Sequence, residues 1–306
     1  SFLMKYRYPA MLHTMPKNLV IFGGFVIGLI LMVSIYGVLH ARRVYVRQDP
    51  VVIEKSSSLP GLKIALIADL HLGYNSTKSH VRKIVDTINS QNVDLVCIAG
   101  DLFDNDYNAI KDPDEVADIL SDIKSRYGTY ACWGNHDVSE KILAGFTFPQ
   151  KETIVRDGRF TEFLHHAGIT MLEDETVCID NAFYLVGRRD KDMAKKEQLP
   201  RKTFAEITEP LDPSLPIIVM DHQPGELSEA SDAGVDLDLS GHTHDGQMFP
   251  ANLVVHFLWE NACGVLKKGS MTSIVTSGAG VWGPAMRVGT NNEVVIANVS
   301  FDPATD

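Results

Sequence analysis

Five short segments of this chain each present side chains that can hold a cation. They read ADLH (68–71), GDLFD (100–104), GNHD (134–137), DH (221–222) and GHTH (241–244). Together they offer carboxylates (Asp69, Asp101, Asp104), a carboxamide (Asn135) and imidazoles (His71, His136, His222, His242, His244). Neutral imidazole, carboxylate and amide oxygen suit borderline and hard divalent ions such as Mn, Fe, Zn or Co. One aspartate shared between two such ions holds them about 3.5–4 Å apart, a separation that clamps the attacking and leaving oxygens of phosphoryl transfer. Any one of these residues has an ordinary explanation, because an Asp after a strand commonly serves a turn. Five such segments, each behind an apolar run, fit chance poorly.

The apolar runs predict what positions them. LKIALIAD (62–69), VDLVCIAG (93–100) and GTYACWG (128–134) have the length and character of buried strands. Later strands are expected at 183–187, 215–221, 235–240, 272–277 and 292–299. A helix is expected over 79–90, capped by Ser79, with Val81, Ile84, Val85 and Ile88 on one face. Val116, Ile119, Leu120 and Ile123 mark another. The alternation in the first half predicts a parallel sheet with helical crossovers, and the strand-rich second half a second, mixed sheet. Sites in open α/β sheets form at the carboxyl ends of strands, so the five segments are expected to converge.

Residues 19–39 are 21 positions without a charge. At 1.5 Å per residue they span the roughly 30 Å hydrocarbon core of a bilayer. A transmembrane helix is expected there, behind a membrane-flanking segment (1–18) and ahead of a connector (40–61) and one large domain (62–306). A secretory signal fits less well: its apolar region would be shorter, and no A-x-A cleavage site follows. Three basic residues flank each side (Lys5, Arg7, Lys17 and Arg42, Arg43, Arg47), so charge assigns no topology. A start at Ser1 rather than Met leaves room for earlier sequence. The formal net charge is −11. Residues 1–50 carry a net positive balance, so the remainder is more acidic still; it repels phosphate backbones and favours bound cations. No nucleic-acid partner is expected. Cys97, Cys132, Cys178 and Cys263 share no C-x-x-C spacing, so neither a disulfide framework nor a zinc knuckle is expected.

With DLH, GDLFD, GNHD, a later lone histidine and GHTH in that order, the chain resembles the calcineurin-like metallophosphoesterase superfamily over about residues 62–299. The resemblance implies a four-layer α/β/β/α sandwich of two mixed sheets. It implies two divalent ions, one held by Asp69, His71, Asp101 and His244, the other by Asp101, Asn135, His222 and His242, with Asp101 bridging. His136 would be the non-ligand histidine that faces substrate, oriented by Asp104. GHTHDGQMFP, SGAGVWGPAMRVGTNNEV and the amino-terminal apolar helix look like the bacterial membrane-associated phosphodiesterase branch, which includes UDP-diacylglucosamine hydrolases.

The expected reaction is hydrolysis of a phosphoester or pyrophosphate bond in a lipid-linked or membrane-proximal substrate. A metal-bridging hydroxide would attack, and His136 as imidazolium would stabilise the transition state or protonate the leaving alkoxide. Arg287 in GPAMRVG, and Arg188 and Arg189 in VGRRD, are candidate phosphate contacts because a guanidinium fork matches phosphate. Pairing with acids is their ordinary alternative. Met248, Trp259, Trp282 and Met286 read first as core, with an acyl-chain groove as the alternative. A phosphomonoesterase or phosphoprotein phosphatase of the same fold is the alternative activity. A membrane-tethered, non-catalytic metal-binding module is weakened by the completeness of the motifs.

Overall fold

The computed structural model describes residues 16–140 and 156–302, together with the backbone of 142–143 and 146–147. Lys5 and Arg7, expected to flank a membrane helix, lie outside the described residues. The first elements among the described residues are α1 (Lys17–His40) and β1 (Val44–Ile53). β2 (Leu62–Ile67), α2 (Lys78–Ser90), β3 (Leu95–Ala99), α3 (Pro113–Ser121) and β4 (Thr129–Cys132) follow. A small hairpin, β5 (Ile142–Leu143) and β6 (Phe146–Thr147), precedes α4 (Gly158–His166) and β7 (Ile169–Met171). The second half runs through β8 (Glu175–Ile179), β9 (Phe183–Gly187), α5 (Lys191–Glu197), α6 (Phe204–Thr208), β10 (Ile217–Met220), α7 (Leu227–Asp232) and β11 (Leu237–Ser240). It ends with α8 (Ala251–Leu258), β12 (Gly264–Lys268), β13 (Met271–Val275) and β14 (Asn292–Phe301).

Two six-stranded sheets carry the fold, in the orders β1-β14-β2-β3-β4-β7 and β12-β13-β11-β10-β9-β8. Successive side chains on a strand point to opposite faces, and here both faces are apolar, as a sheet covered on both sides requires. Leu62, Ile64 and Leu66 of β2 meet Leu185, Ile218, Leu239 and Ile274 between the sheets. Ala65 and Ile67 of the same strand pack outward against Val81, Ile84, Val85 and Ile88 of α2. On the far side Val186, Ile217 and Val219 pack against Phe204, Ile207, Leu227 and Ala230 of α6 and α7. The result is the four-layer α/β/β/α sandwich of two mixed sheets: β14 runs antiparallel to β2, and β8 and β12 run antiparallel at the edges of the second sheet.

Two local expectations are corrected. The 40–61 connector contains β1, a full edge strand paired in parallel with β14 from Val44↔Asn292 to Ile53↔Phe301. Arg47, Gln48, Asp49 and Pro50 hide it by breaking the apolar alternation. An edge strand tolerates proline, and Arg47 is paired with Asp49 (2.9 Å) and Glu293 (2.6 Å). Helix α2 starts one residue early, and its cap is Thr77 rather than Ser79, because the Thr77 hydroxyl accepts the His80 N–H at 3.2 Å.

Helix α1 is the one helix among the described residues long and apolar enough to cross a membrane, and none of its most apolar stretch is buried. Only Gly37 is buried. A Cβ there would stand 2.9 Å from the Met286 side chain and 3.0 Å from that of Val288. Without one, the helix closes on the 286–291 segment: Gly37 O accepts the Arg287 N–H at 3.0 Å, and His40 Nε2 reaches Thr290 O at 3.1 Å.

β11, which delivers GHTH, carries a buried acid. Asp238 accepts the Ser273 hydroxyl at 2.9 Å and that of Ser240 at 3.2 Å. Burial, with Asp221 nearby, pushes its carboxyl up to about 7. An unfolded aspartate titrates near ~3.9. The stabilising proton is therefore fully present below about pH 4 and lost as pH rises through about 7. Asp238→Asn removes that slope, and its melting temperature should fall less than that of the parent between pH 5 and 8. Parallel profiles in thermal unfolding would refute this.

Candidate metal centre

The five segments sit on the loops that follow β2, β3, β4, β10 and β11, and backbone hydrogen bonds lace those loops together. Asp69 N–H donates to Gly100 O (3.0 Å), His71 N–H to Asp101 O (3.1 Å) and Leu72 N–H to Leu102 O (2.8 Å), so ADLH and GDLFD run side by side. Asp69, His71, Asp101, His242 and His244 all hold left-handed backbone, with φ of 56°, 43°, 49°, 71° and 52°. For non-glycine residues this costs about 1–3 kcal/mol each and persists only where surroundings enforce it. The motif glycines supply the enforcement. A Cβ on Gly134 would collide with the amide and carboxylate of Asp101, and one on Gly241 would stand 2.8 Å from Asp69 Oδ2 and strike Ala68.

All seven expected ligands come together, in two groups. Asp69, His71 and His244 bring donor atoms within 4.8 Å of one another, and so do Asp101, His222 and His242. In the first, His71 Nε2 lies 3.0 Å from His244 Nε2. In the second, His222 Nε2 lies 3.1 Å from Asp101 Oδ2, 3.1 Å from Asn135 Oδ1 and 3.2 Å from His242 Nδ1. Asp101 Oδ2 is also 3.9 Å from His71 Nε2, so the same oxygen faces both groups.

These atoms fit a cation better than they fit each other. His222 Nδ1 donates to Ala99 O at 2.8 Å, which leaves Nε2 to present a lone pair to a carboxylate oxygen and a carboxamide oxygen. Without a cation only a proton relieves that clash. Burial disfavours a charged His222, but Asp101 beside it holds its pKa well above the ordinary value. Burial likewise opposes ionisation of Asp101, yet His222 and His136 keep it well below the carboxylate range. Burial pushes Asp69 up to about 6, pulls His242 down to about 3, and holds His244 well below the usual histidine range. His71 Nδ1 is buried with no hydrogen-bond partner. Imidazoles gathered around buried carboxylates, with His242 and His244 held neutral, are a donor set that suits a divalent metal.

His136 borders the same cavity, but Asp104 does not orient it. Its Nδ1 donates to Asn105 Oδ1 at 2.5 Å. Asn105 Nδ2 donates to Glu140, which takes Lys196 Nζ at 2.9 Å, and Lys196 returns to Asn135 O at 2.9 Å. The backbone explains the exchange. Asp104 N–H bonds Leu72 O and turns its acid toward His71 Nδ1 (3.6 Å), whereas Asn105 N–H bonds His136 O. The three arginines are corrected too. Arg287 is fully buried behind the centre, donating to Ser277 O (2.6 Å), Gly280 O (2.8 Å) and His244 O (3.1 Å). Arg188 lies over the Phe204 ring, paired with Asp221 (3.1 Å) and Glu226 (2.9 Å), and Arg189 pairs with Glu173. Their acids sit elsewhere in the sequence, so spacing could not reveal the pairs.

Two further residues had no expected role. Asp137, the last of GNHD, accepts Phe103 N–H (2.8 Å) and Gly134 N–H (2.7 Å), clamping that turn to GDLFD. Gln247 holds the mouth, donating to Trp282 O and Pro284 O and accepting Trp282 N–H at 2.8 Å. The mouth opens into a cavity of about 300 Å³ bounded by His71, Asp101, His136, His242, His244 and Trp282. A cavity of about 460 Å³ near Arg42, His80 and Lys83 holds no motif side chain, so chemistry rather than size marks the site.

Comparisons with known proteins agree with this geometry. Residues 62–246 match the family model described as calcineurin-like phosphoesterase. A Helicobacter pylori protein named an uncharacterized metallophosphoesterase is 32% identical over 81% of this chain and 62% of its own length. A Danio rerio protein named a transmembrane protein with metallophosphoesterase domain is 28% identical, over 86% of this chain and 59% of its own. A UDP-2,3-diacylglucosamine pyrophosphatase of Chlamydia muridarum is 24% identical, over 64% of this chain and 67% of its own. The chain thus spans about three fifths of the length of the first two relatives.

The packing of Gly134 against Asp101 gives a test. Gly134→Ala should weaken manganese binding about 10–100-fold, as loss of a ligand's support does, with the circular dichroism spectrum retained. Unchanged affinity in titration calorimetry would mean that the Asp101 carboxylate is not seated by this contact.

Proposed function

The chain belongs to the calcineurin-like phosphoesterase family, and on that premise we propose that it is a membrane-anchored, two-metal phosphohydrolase acting as a phosphodiesterase on a lipid-linked or membrane-proximal substrate. The observation that carries this reading is Asp101 Oδ2, one oxygen facing a histidine of each ligand group at 3.1 and 3.9 Å. Asp69, His71, Asp101 and His244 would hold one ion, and Asp101, Asn135, His222 and His242 the other. When bound, such ions polarise phosphoryl oxygens and lower the pKa of a water.

The protein's own groups do the rest. Asp101 Oδ1 accepts the His136 N–H at 2.7 Å, so Oδ2 is the oxygen that would serve the ions. Asn105 fixes the His136 tautomer with the proton on Nδ1, so Nε2 is the atom free to carry a proton to or from the reacting oxygens. Burial pulls His136 down to about 4, so the free site holds it neutral at pH 7. An arriving phosphate anion raises that pKa and favours protonation with substrate in place. None of the cavity residues named above is a lysine or arginine. Charge on the phosphoryl group would therefore be met by the ions and His136 alone.

The membrane part of the reading rests on α1, exposed along its apolar length and clamped to the domain by its last turn. It rests also on the relatives named for a transmembrane protein and for a diacylglucosamine pyrophosphatase. Tethering raises the effective concentration of the site for substrates in the bilayer.

Manganese-loaded protein should hydrolyse bis-p-nitrophenyl phosphate, and EDTA should abolish turnover until metal is restored. Metal-independent turnover would contradict the mechanism. His136→Gln should lower kcat about 10²–10⁴-fold, the usual worth of a proton-transfer group, while bound manganese measured by mass spectrometry stays at the parent value. Loss of metal in that variant would make His136 a ligand instead.

A further inference from the structure

Helix α8 turns most of its apolar side chains to the outside. Six of the eight residues in ANLVVHFL are apolar, yet none is buried. Its two polar residues, Asn252 and His256, stand four apart and share a face. Both reach back toward the protein: the half-exposed His256 puts Nε2 2.9 Å from Asp245 Oδ1, and Asn252 Oδ1 is buried. The other faces carry Leu253, Val254, Phe257 and Leu258, exposed by 54%, 51%, 90% and 72%, with Phe249 just before the helix at 62%. Scattered apolar residues on a surface are normal, but five within ten positions form a patch that calls for a partner. A helix this short depends on packing of its apolar face. By contrast, α2 places Val81, Ile84, Val85 and Ile88 against the sheet.

The partner is indicated by what α8 is tied to. Phe249 N–H donates to Val288 O at 2.8 Å, one residue beyond Arg287, whose own N–H donates to Gly37 O of α1 at 3.0 Å. At 1.5 Å per residue α8 extends only about 12 Å from that tie. We propose that the outward face of α8 lies in the apolar boundary of the same lipid bilayer that α1 crosses. The cavity wall formed by Ala251 and Val255 of this helix then opens the metal centre toward the membrane surface. This inference rests on the reading of α1 as a membrane helix.

The full chain, with Cys178 and Cys263 replaced by serine, is reconstituted in phosphatidylethanolamine–phosphatidylglycerol vesicles containing doxyl-labelled lipid. Single cysteines carrying an environment-sensitive fluorophore are placed at Phe25→Cys in α1, at Phe257→Cys and at Leu253→Cys. A control keeps Cys178, which is exposed on β8, the edge strand opposite β12 in the second sheet. Quenching at 25, 257 and 253 but not at 178 is expected. Quenching at 25 alone overturns the placement of α8 and leaves the anchor intact, whereas none at 25 overturns both. Labels at 257 and 253 that are shielded from water yet unquenched by lipid, in cross-linked dimers, would assign the face to a second copy of this chain and overturn the proposal.

Discussion

The structure is organised around one electrostatic problem: two carboxylates and three imidazoles are buried together beside the half-buried His242. Asp69 and Asp101 are buried, and the nearest strong cation, Arg287, is spent on backbone carbonyls and the rim of His244. A buried charge without a partner is expensive. The protein alone can relieve it only by moving protons, and the opposed pKa directions of His222 and His242, neighbours at 3.2 Å, record that compromise. A divalent cation in each group would remove the conflict without a proton. The fold therefore holds in place an arrangement it does not itself complete, which is what a preorganised candidate metal centre would require.

Holding such an arrangement needs rigid loops, and the backbone shows how rigidity is reached. Ligand residues in left-handed conformation are unfavourable one at a time, but each is locked by a hydrogen bond from the next loop or by a glycine that admits the neighbouring chain. Asp137 illustrates the cost of the locking. It accepts two backbone N–H groups, yet burial and Asp101 still push its carboxyl up to about 7. Short parallel strands, packed on both faces, give those loops common anchor points.

Much of this was readable in one dimension. A glycine or aspartate directly after an apolar run marks a strand that stops at a site, so the five segments and most strands could be named from local pattern, whereas the sorting of their side chains into candidate ligands came from the family resemblance. Failures occurred where a partner lies far along the chain. Arg47 looks like a surface charge until Glu293 of β14 is placed beside it. The arginines of VGRRD look like anion receptors until Asp221, Glu226 and Glu173 close on them. The choice of Asn105 over Asp104 turns on which backbone N–H bonds Leu72 O and which bonds His136 O, a register that no composition records. Helix α8 is apolar in its residue types, and only the structure shows that Phe257 and Leu258 face outward.

Arg287 joins these themes. Expected at the substrate, it instead links the amino-terminal helix to the centre: its N–H meets Gly37 O, and its guanidinium meets His244 O and the carbonyls of Ser277 and Gly280. Five donors in a rigid fork suit a residue that must satisfy several carbonyls from different segments at once. Lysine, a single flexible ammonium, could satisfy some of them without fixing their angles. Because the same residue touches the helix and a ligand-bearing loop, any tilt of α1 relative to the domain would be felt at His244. The position of the centre above the helix end is therefore a property of the packed core and not of a flexible tether.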